Sequence, residues 1–435
     1  MRLGTCLVMM LLFLGSTVHA GEYDFTIPEA KKKPYELGGR LETRYIYHRL
    51  DEDSARYRLI YYQDDPGADT HEWRALAEIS GSYQQGIFQA NLLTHHEYVD
   101  SYQDDEWDNN IYEAYASLTP GAHFTLDTGK KRVLWGKGYA WNPAGFLNRP
   151  KDPDDPALNL EGRPLLRLDL IKSFSAGNLS NIGLTAILLP VINEWGNEDL
   201  GEEGDLNTAL KLYLLWYDTD LDFIYFDGPD QPRSFGFDFA KNLAENFEVH
   251  GELAFQEDVL HFIIDAAGTV QQTREDQLSY LLGVRYLNAI DTTFIAEYYH
   301  NGAGYSRDEL DDFYIYQETA FNQWQATGNA SVMQRANQIT RPYYQQRKQR
   351  NFGEDYFYLK ISQKEPFDIL YFNPWVAAVV NLQDFSFNLQ PGLTWTPVTN
   401  LELNLRVGIP VGASKTEFGE KPDALRPEIW MRYYF

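Results

Sequence analysis

The 435-residue chain holds a single cysteine, Cys6, so no disulfide framework and no thiolate metal set can be built from it. Beyond the N-terminus there is no apolar run near the roughly 20 residues that a transmembrane helix needs, which excludes a helical membrane bundle. Basic residues are outnumbered, with 37 Lys+Arg against 63 Asp+Glu and a net charge of -26. A chain this acidic repels phosphate and offers no counterion release, so nucleic acid is excluded as a partner. No Gly-x-Ser-x-Gly occurs, and with it goes the nucleophile elbow of a serine hydrolase.

What is present fits water poorly. Hydrophobic residues make up 44% of the chain, too many for disorder, and 10 Trp, 30 Tyr and 25 Phe bring the aromatics to 15%. Yet the mean hydropathy is negative.

The N-terminus predicts export. Arg2 supplies a positive start, Leu7 to Leu14 an apolar core, and Val18-His19-Ala20 a small-x-small cleavage site before Gly21. Residues 1–20 are therefore read as a signal peptide, 21–34 as a periplasmic N-terminal segment and 35–435 as one domain. Cys6 leaves with the signal and, lying ahead of the apolar core, is not a lipoprotein cysteine.

From Tyr35 onward the chain alternates with period 2, and helical period is almost absent. Leu401, Leu403, Leu405, Val407 and Ile409 interleave with Glu402, Asn404, Arg406 and Gly408. The same holds for Trp73, Ala75, Ala77 and Ile79 against Glu72, Arg74, Glu78 and Ser80. A soluble sandwich would alternate too, but its connections would be alike at both strand ends. Here short connections such as Gln84-Gln85, Thr119 to Gly121 and Tyr217 to Asp220 take turns with longer ones. Those are Asp51 to Thr70, Tyr98 to Asn109, Gly136 to Arg163, Val191 to Leu206, Asp258 to Gln277, Asn301 to Gly353 and Val411 to Arg426. Short inner turns and long outer loops describe an outer-membrane β-barrel, an all-β, antiparallel transmembrane fold. About 18 segments of strand length can be counted, with 16 also compatible; Ile361 to Asn373 reads as either a turn or a strand. Closure follows from the lipid, where each unpaired backbone group costs several kcal/mol. Tyr45, Tyr47, Tyr225, Trp216, Tyr298 and Trp395 are candidates for the two aromatic girdles.

The final residues, Ile429-Trp430-Met431-Arg432-Tyr433-Tyr434-Phe435, resemble the terminal assembly signal of outer-membrane proteins. That resemblance implies a Gram-negative outer membrane as the location, its lipids as surroundings, and the barrel-insertion machinery as a partner reading Phe435. The stretch Arg132 to Pro143, followed by Pro150-Lys151-Asp152-Pro153 and Glu161-Gly162, resembles a loop of barrels related to alginate-export proteins and general porins. It implies a pore for small or carbohydrate-like solutes and assigns no residue roles.

The polar phase of the strands predicts a lumen lined by Arg40, Arg44, Arg74, Arg167, Lys211, Arg285, Lys360, Arg406 and Arg432. It shares that lumen with Glu42, Glu72, Glu78, Glu113, Asp169, Asp238, Glu248, Glu252, Glu297, Glu402 and Glu428. These charges can pair across strands and stiffen the wall, or set a transverse field that selects solutes by size and charge. The excess of acid falls instead in connections such as Asp100 to Asp108, Glu194 to Asp205 and Asp308 to Asp312.

Between Trp135 and Pro164 lie five prolines together with Trp135, Lys137, Tyr139, Trp141, Arg149, Lys151 and Arg163. Proline lowers the entropy of a free loop, so this long segment can be ordered. It is expected to fold inward and narrow the pore, its rings and charges suiting sugar faces, hydroxyls or carboxylates; the alternative is an outer loop packed on its neighbours. His48, Glu72 and His95 are expected at one rim, where two imidazoles and a carboxylate could hold Zn²⁺ or act as acid and base.

Pattern and composition therefore point to a passive channel for small hydrophilic solutes without a cofactor, and the loop's resemblance implies carbohydrate or uronate among those solutes. A surface adhesin using Asn301 to Gly353, a structural barrel, or a barrel enzyme are the alternatives, and an enzyme is not expected.

Overall fold

A computed structural model of the chain describes residues 33–154, 161–193, 195–345 and 351–435. The expected signal peptide and nearly all of the 21–34 segment lie outside the described residues.

Residues Tyr35–Phe435 form a compact unit. Its strands are β1 (Tyr35–Leu50), β2 (Asp69–Gln85), β3 (Phe88–Asp100), β4 (Asp105–Gly121), β5 (Phe124–Lys131), β6 (Arg163–Ser173), β7 (Leu179–Pro190), β8 (Leu206–Trp216) and β9 (Thr219–Gly228). They continue as β10 (Gln231–Ala244), β11 (Phe247–Ile264), β12 (Val270–Leu287), β13 (Thr292–His300), β14 (Asp355–Gln363), β15 (Phe372–Asn381), β16 (Phe387–Val398), β17 (Leu401–Val411) and β18 (Asp423–Tyr434). Each pairs antiparallel with its sequence neighbours, and β1 pairs with β18, Glu42 opposite Arg432 and Arg44 opposite Trp430. The sheet is thus a closed barrel of 18 strands with no free edge.

The outer wall carries the apolar phase of the pattern. Leu37, Leu41, Trp73, Ile79, Leu282, Leu405, Ile429 and Met431 all stand exposed on it. Such a continuous apolar belt requires lipid rather than water. Tyr45 lies against Trp73 with ring centroids 4.6 Å apart near the loop rim. Trp216 meets Tyr217 at 5.1 Å at the turn rim, so the two girdles sit at opposite strand ends.

Two expected loops are strand instead. β3 and β4 run on until only residues 101–104 join them, and β11 and β12 until only 265–269 do. Their tips are acidic and polar, which hides the alternation although the ladder continues beyond the apolar belt. Ile361 to Asn373 resolves into the end of β14, a turn and the first residues of β15.

The scarcity of helical period overlooked three helices, α1 (Ala55–Tyr61), α2 (Arg307–Thr327) and α3 (Ala330–Gln345). α2 starts at a capping box, Ser306 with Glu309, and ends at Gly328 in the left-handed region at φ 66°. Leu310, Phe313, Tyr314 and Ala320 of α2 pack with Leu59 of α1, with Met333, Ala336 and Tyr343 of α3, and with Ile264 of β11. The described residues of the 301–353 connection are therefore largely helical and have their own core.

Candidate functional site: a charged cavity beside an inward loop

Residues 132–154 leave β5 and run inside the barrel, and residues 161–162 lead into β6. Val133, Trp135, Ala144 and Leu147 are buried against Leu165, Ile187, Leu189, Ala209 and Ile224 of β6 to β9. Ala140 and Trp141 pack against Leu281, Tyr356, Tyr358, Ala377 and Val379 of β12, β14 and β15. Each large apolar side chain so covered contributes roughly 1.5–3 kcal/mol, enough for this segment to prefer the wall to solvent. Trp141 stacks on Tyr299 with centroids 5.0 Å apart, and its indole N–H donates to Asn351 at 3.1 Å.

Polar contacts complete the attachment. Lys137 Nζ lies 3.1 Å from Asp222 and 3.7 Å from Asp238. Burial lowers the pKa of this ammonium, but the two aspartates outweigh it and the net shift is upward. Lys151 donates to the carbonyls of Gly138 at 2.7 Å and Tyr139 at 3.2 Å, and burial pulls its pKa down. Arg163, 2% exposed, forks onto Asp199 at 2.8 and 2.9 Å and donates to the Leu147 carbonyl at 2.6 Å. The segment is thus ordered and inward, as its prolines suggest. Its rings, however, are inside the protein: Trp135 and Trp141 are buried, and Tyr139 meets His250 edge-on at 5.4 Å, so none stands ready for a sugar face.

The loop fills one side of the barrel and leaves a cavity of about 790 Å³ on the other, against β1–β4 and β16–β18. Its lining is dominated by charge, with eight Lys or Arg and nine Asp or Glu side chains. Tyr112 and Phe418 are the rings facing it. Arg40, Glu42, Arg44, Arg74, Arg406 and Arg432 line it from the strands, and Arg149 does so from the loop.

A ladder runs across β17, β18 and β1. Arg432 Nη1 donates to Glu402 at 3.1 Å and its Nε donates to Glu42 at 2.5 Å; Arg44 Nη2 donates to Glu42 at 2.9 Å; and Arg406 donates to both oxygens of Glu428 at 3.0 and 2.9 Å. Trp430 lies among them, 4.6 Å from the Arg44 guanidinium, 5.4 Å from Arg406 and 5.8 Å from Arg432. The indole face adds cation–π contacts to these ion pairs, so the wall is rigid, with its arginines matched by Glu42, Glu402 and Glu428. Asp152, Asp154 and Glu161 of the loop and Glu97, Glu106 and Asp108 of β3 and β4 also line the cavity, and the Asp154 carbonyl accepts from Arg406 at 2.8 Å.

Arg167, Asp169, Lys211, Arg285, Glu297 and Lys360 do not line this cavity. Lys211 lies behind the loop, 5.5 Å over the Trp135 ring and 3.5 Å from Asp222. Glu297, 1% exposed, is covered by the backbone of Tyr139 and Ala140. Arg167 pairs with Asp169 at 2.6 Å, Arg285 with Glu248 at 4.0 Å, and Lys360 lies 4.9 Å over Trp375. Alternation gives the side of the wall; it cannot tell that a distant segment covers some of its inward positions, as it does at Lys211 and Glu297. Missed in turn were Lys421, Asp423 and Arg426, which belong to a loop and a strand end, Tyr112 within β4, and Glu106 and Asp108, expected on an outer connection.

The histidines do not converge. His48 Nδ1 lies 3.0 Å from Asp423 and its Nε2 3.7 Å from Glu72, whereas His95 lies 3.1 Å from Glu78 and stacks on Tyr112 at 4.1 Å. Arg74 stands between the two groups, bonded to Glu72 and 3.5 Å from Glu97. No set of three or more His, Cys, Asp or Glu suited to a metal ion is found among the described residues.

No known family model matches the sequence, and no curated protein matches it. Solved structures do. OccAB1 of Acinetobacter baumannii is similar at a TM-score of 0.56 and 10% identity, over 93% of this chain and 98% of that one. OccK5 (OpdH) of Pseudomonas aeruginosa gives 0.52 and 13%, over 92% and 98%, and OprD of the same organism gives 0.51 and 10%, over 92% and 95%. The chain thus has the fold of porin-type outer-membrane barrels. None of these three is an alginate-export protein.

Proposed function

We propose that this chain is a passive channel of a Gram-negative outer membrane, in which the 132–162 loop forms the constriction and small hydrophilic solutes pass beside it. The observation carrying this reading is the charged cavity itself, since a wall built only for rigidity has no use for a space of about 790 Å³ lined by charges of both signs. The barrel-insertion machinery is the expected partner in assembly, reading the C-terminal Phe435, and outer-membrane lipids surround the apolar belt.

For the solute, uronates suit the cavity better than neutral sugars. A solute carboxylate meets Lys421 and, by exchange with the wall carboxylates they already pair with, the guanidinium groups of Arg44, Arg74, Arg426 and Arg432, while ring faces for stacking are few. Sugar hydroxyls find Asp152, Asp154, Asn388 and Gln390 in the same lining, where Asn388 donates to Asp154 at 2.8 Å. Ion current through the refolded protein in planar bilayers tests this directly. Added glucuronate should reduce the current at concentrations where glucose does not, and equal effects of the two would reject the uronate preference.

A further inference from the structure

Five backbone N–H groups of the inward loop converge on two carboxylates of the barrel wall. Glu252 of β11, 4% exposed, accepts from the amides of Lys137 at 2.7 Å, Gly138 at 2.7 Å and Ala144 at 3.0 Å, and from the Asn142 side chain at 2.8 Å. Glu297 of β13 accepts from the amides of Tyr139 at 2.5 Å and Ala140 at 2.8 Å, with His250 Nε2 2.9 Å away. Residues 137–144 therefore wrap the two side chains as a nest of backbone amides wraps an anion.

The local sequence is shaped to this purpose. Gly136 has φ +94°, and a Cβ there would stand 2.7 Å from a Glu252 oxygen. A Cβ on Gly138 would stand 2.1 Å from the Trp141 carbonyl. Only glycine lets the backbone close this tightly around the carboxylate.

We propose that Glu252 and Glu297 are the positioning residues of the constriction: they hold the loop by its backbone, and so fix the aperture without facing the solute. Apolar packing alone holds a loop approximately, because it is non-directional. Charge-assisted hydrogen bonds to five successive or near-successive amides fix both its depth and its register. The loop's own solute-facing side chains, Arg149, Asp152 and Asp154, follow from that register. This inference rests on the channel reading.

The test uses Glu252→Gln and Glu297→Gln, which keep shape but turn an NH₂ group toward backbone N–H donors. Insertion is followed by the heat-dependent shift of the folded barrel on a gel, and single-channel conductance and current noise are recorded in bilayers. Pro150→Cys adds a thiol at the cavity-lining side of the loop, and its rate of reaction with a charged maleimide reports loop position independently of any current. Each Gln variant should raise conductance by roughly 1.5-fold or more, with greater noise and faster thiol reaction. Glu252→Asp, which keeps the charge, should move each readout less than Glu252→Gln does. If a Gln variant fails to insert, the Asp variants give the readout, a slackened loop again raising noise and thiol reactivity. Folded variants with unchanged conductance, noise and thiol rate would overturn the proposal. If the parent protein conducts nothing, the channel reading fails, and the thiol rates alone still decide whether the two carboxylates hold the loop.

Discussion

Arg163 closes the inward loop at its C-terminal end, and its partner Asp199 belongs to the connection between β7 and β8. Arg163→Met removes a fork of two bonds to Asp199 and leaves the Leu147 carbonyl and the Asn197 side chain without this donor. Each buried acceptor so abandoned costs roughly 1–3 kcal/mol, and breaking a buried ion pair costs about 3–5 kcal/mol. The Asp199 side chain is 31% exposed and keeps Arg149 at 3.0 Å, so solvent and that second cation soften the loss. The single variant should lose about 3 kcal/mol. The pair itself is isolated by a cycle with Asp199→Asn and the double variant, since the Arg149 contact and the other acceptors cancel. Its coupling should be about 2 kcal/mol, between exposed pairs at roughly 0.2–1 and buried ones. Equilibrium guanidinium unfolding of the refolded protein in one detergent measures all four. A coupling below about 0.5 kcal/mol would show that the fork is no tighter than a surface pair, and the loop's attachment would need another basis.

Deleting residues 144–158 should raise single-channel conductance, because the strip of loop bordering the cavity at Arg149 to Asp154 is removed; an unchanged conductance would mean that the segment does not constrict. Reversing the charge of Lys421 and Arg426, both on the cavity, should shift the reversal potential in a salt gradient toward cation selectivity. One charge at about 4 Å in water is worth ~1 kcal/mol, a roughly fivefold change in local ion partition, and less in high salt. A reversal potential indifferent to both substitutions would place ion passage elsewhere.

Much of the wall is legible in the sequence because lipid enforces alternation: a residue on the wrong face would bury a charge in hydrocarbon. That is why Leu401 to Ile409 or Trp73 to Ile79 reads without ambiguity. The rule lapses outside the apolar belt, and there the acidic tips of β3–β4 and β11–β12 look like loop although the ladder continues. α2 was announced by Ser306 with Glu309 and by Leu310, Phe313, Tyr314 and Gln317 at helical spacing, a local signal submerged in a chain of period 2. The inward loop showed itself through its prolines and rings. What it would touch was not legible, since Glu252 and Glu297 look in sequence like any lumen-facing carboxylate. Only the fold shows that one set of inward charges meets water at the cavity and another meets backbone beneath the loop.

The central claim is that ions cross this barrel beside a fixed loop. Planar-bilayer recording of the refolded protein, with a salt gradient across the membrane, tests it most directly. The account predicts discrete, long-lived conductance steps of one amplitude and a modest reversal potential, as befits a cavity whose positive and negative side chains nearly balance. A correctly folded barrel that inserts and yet gives no steps would contradict it.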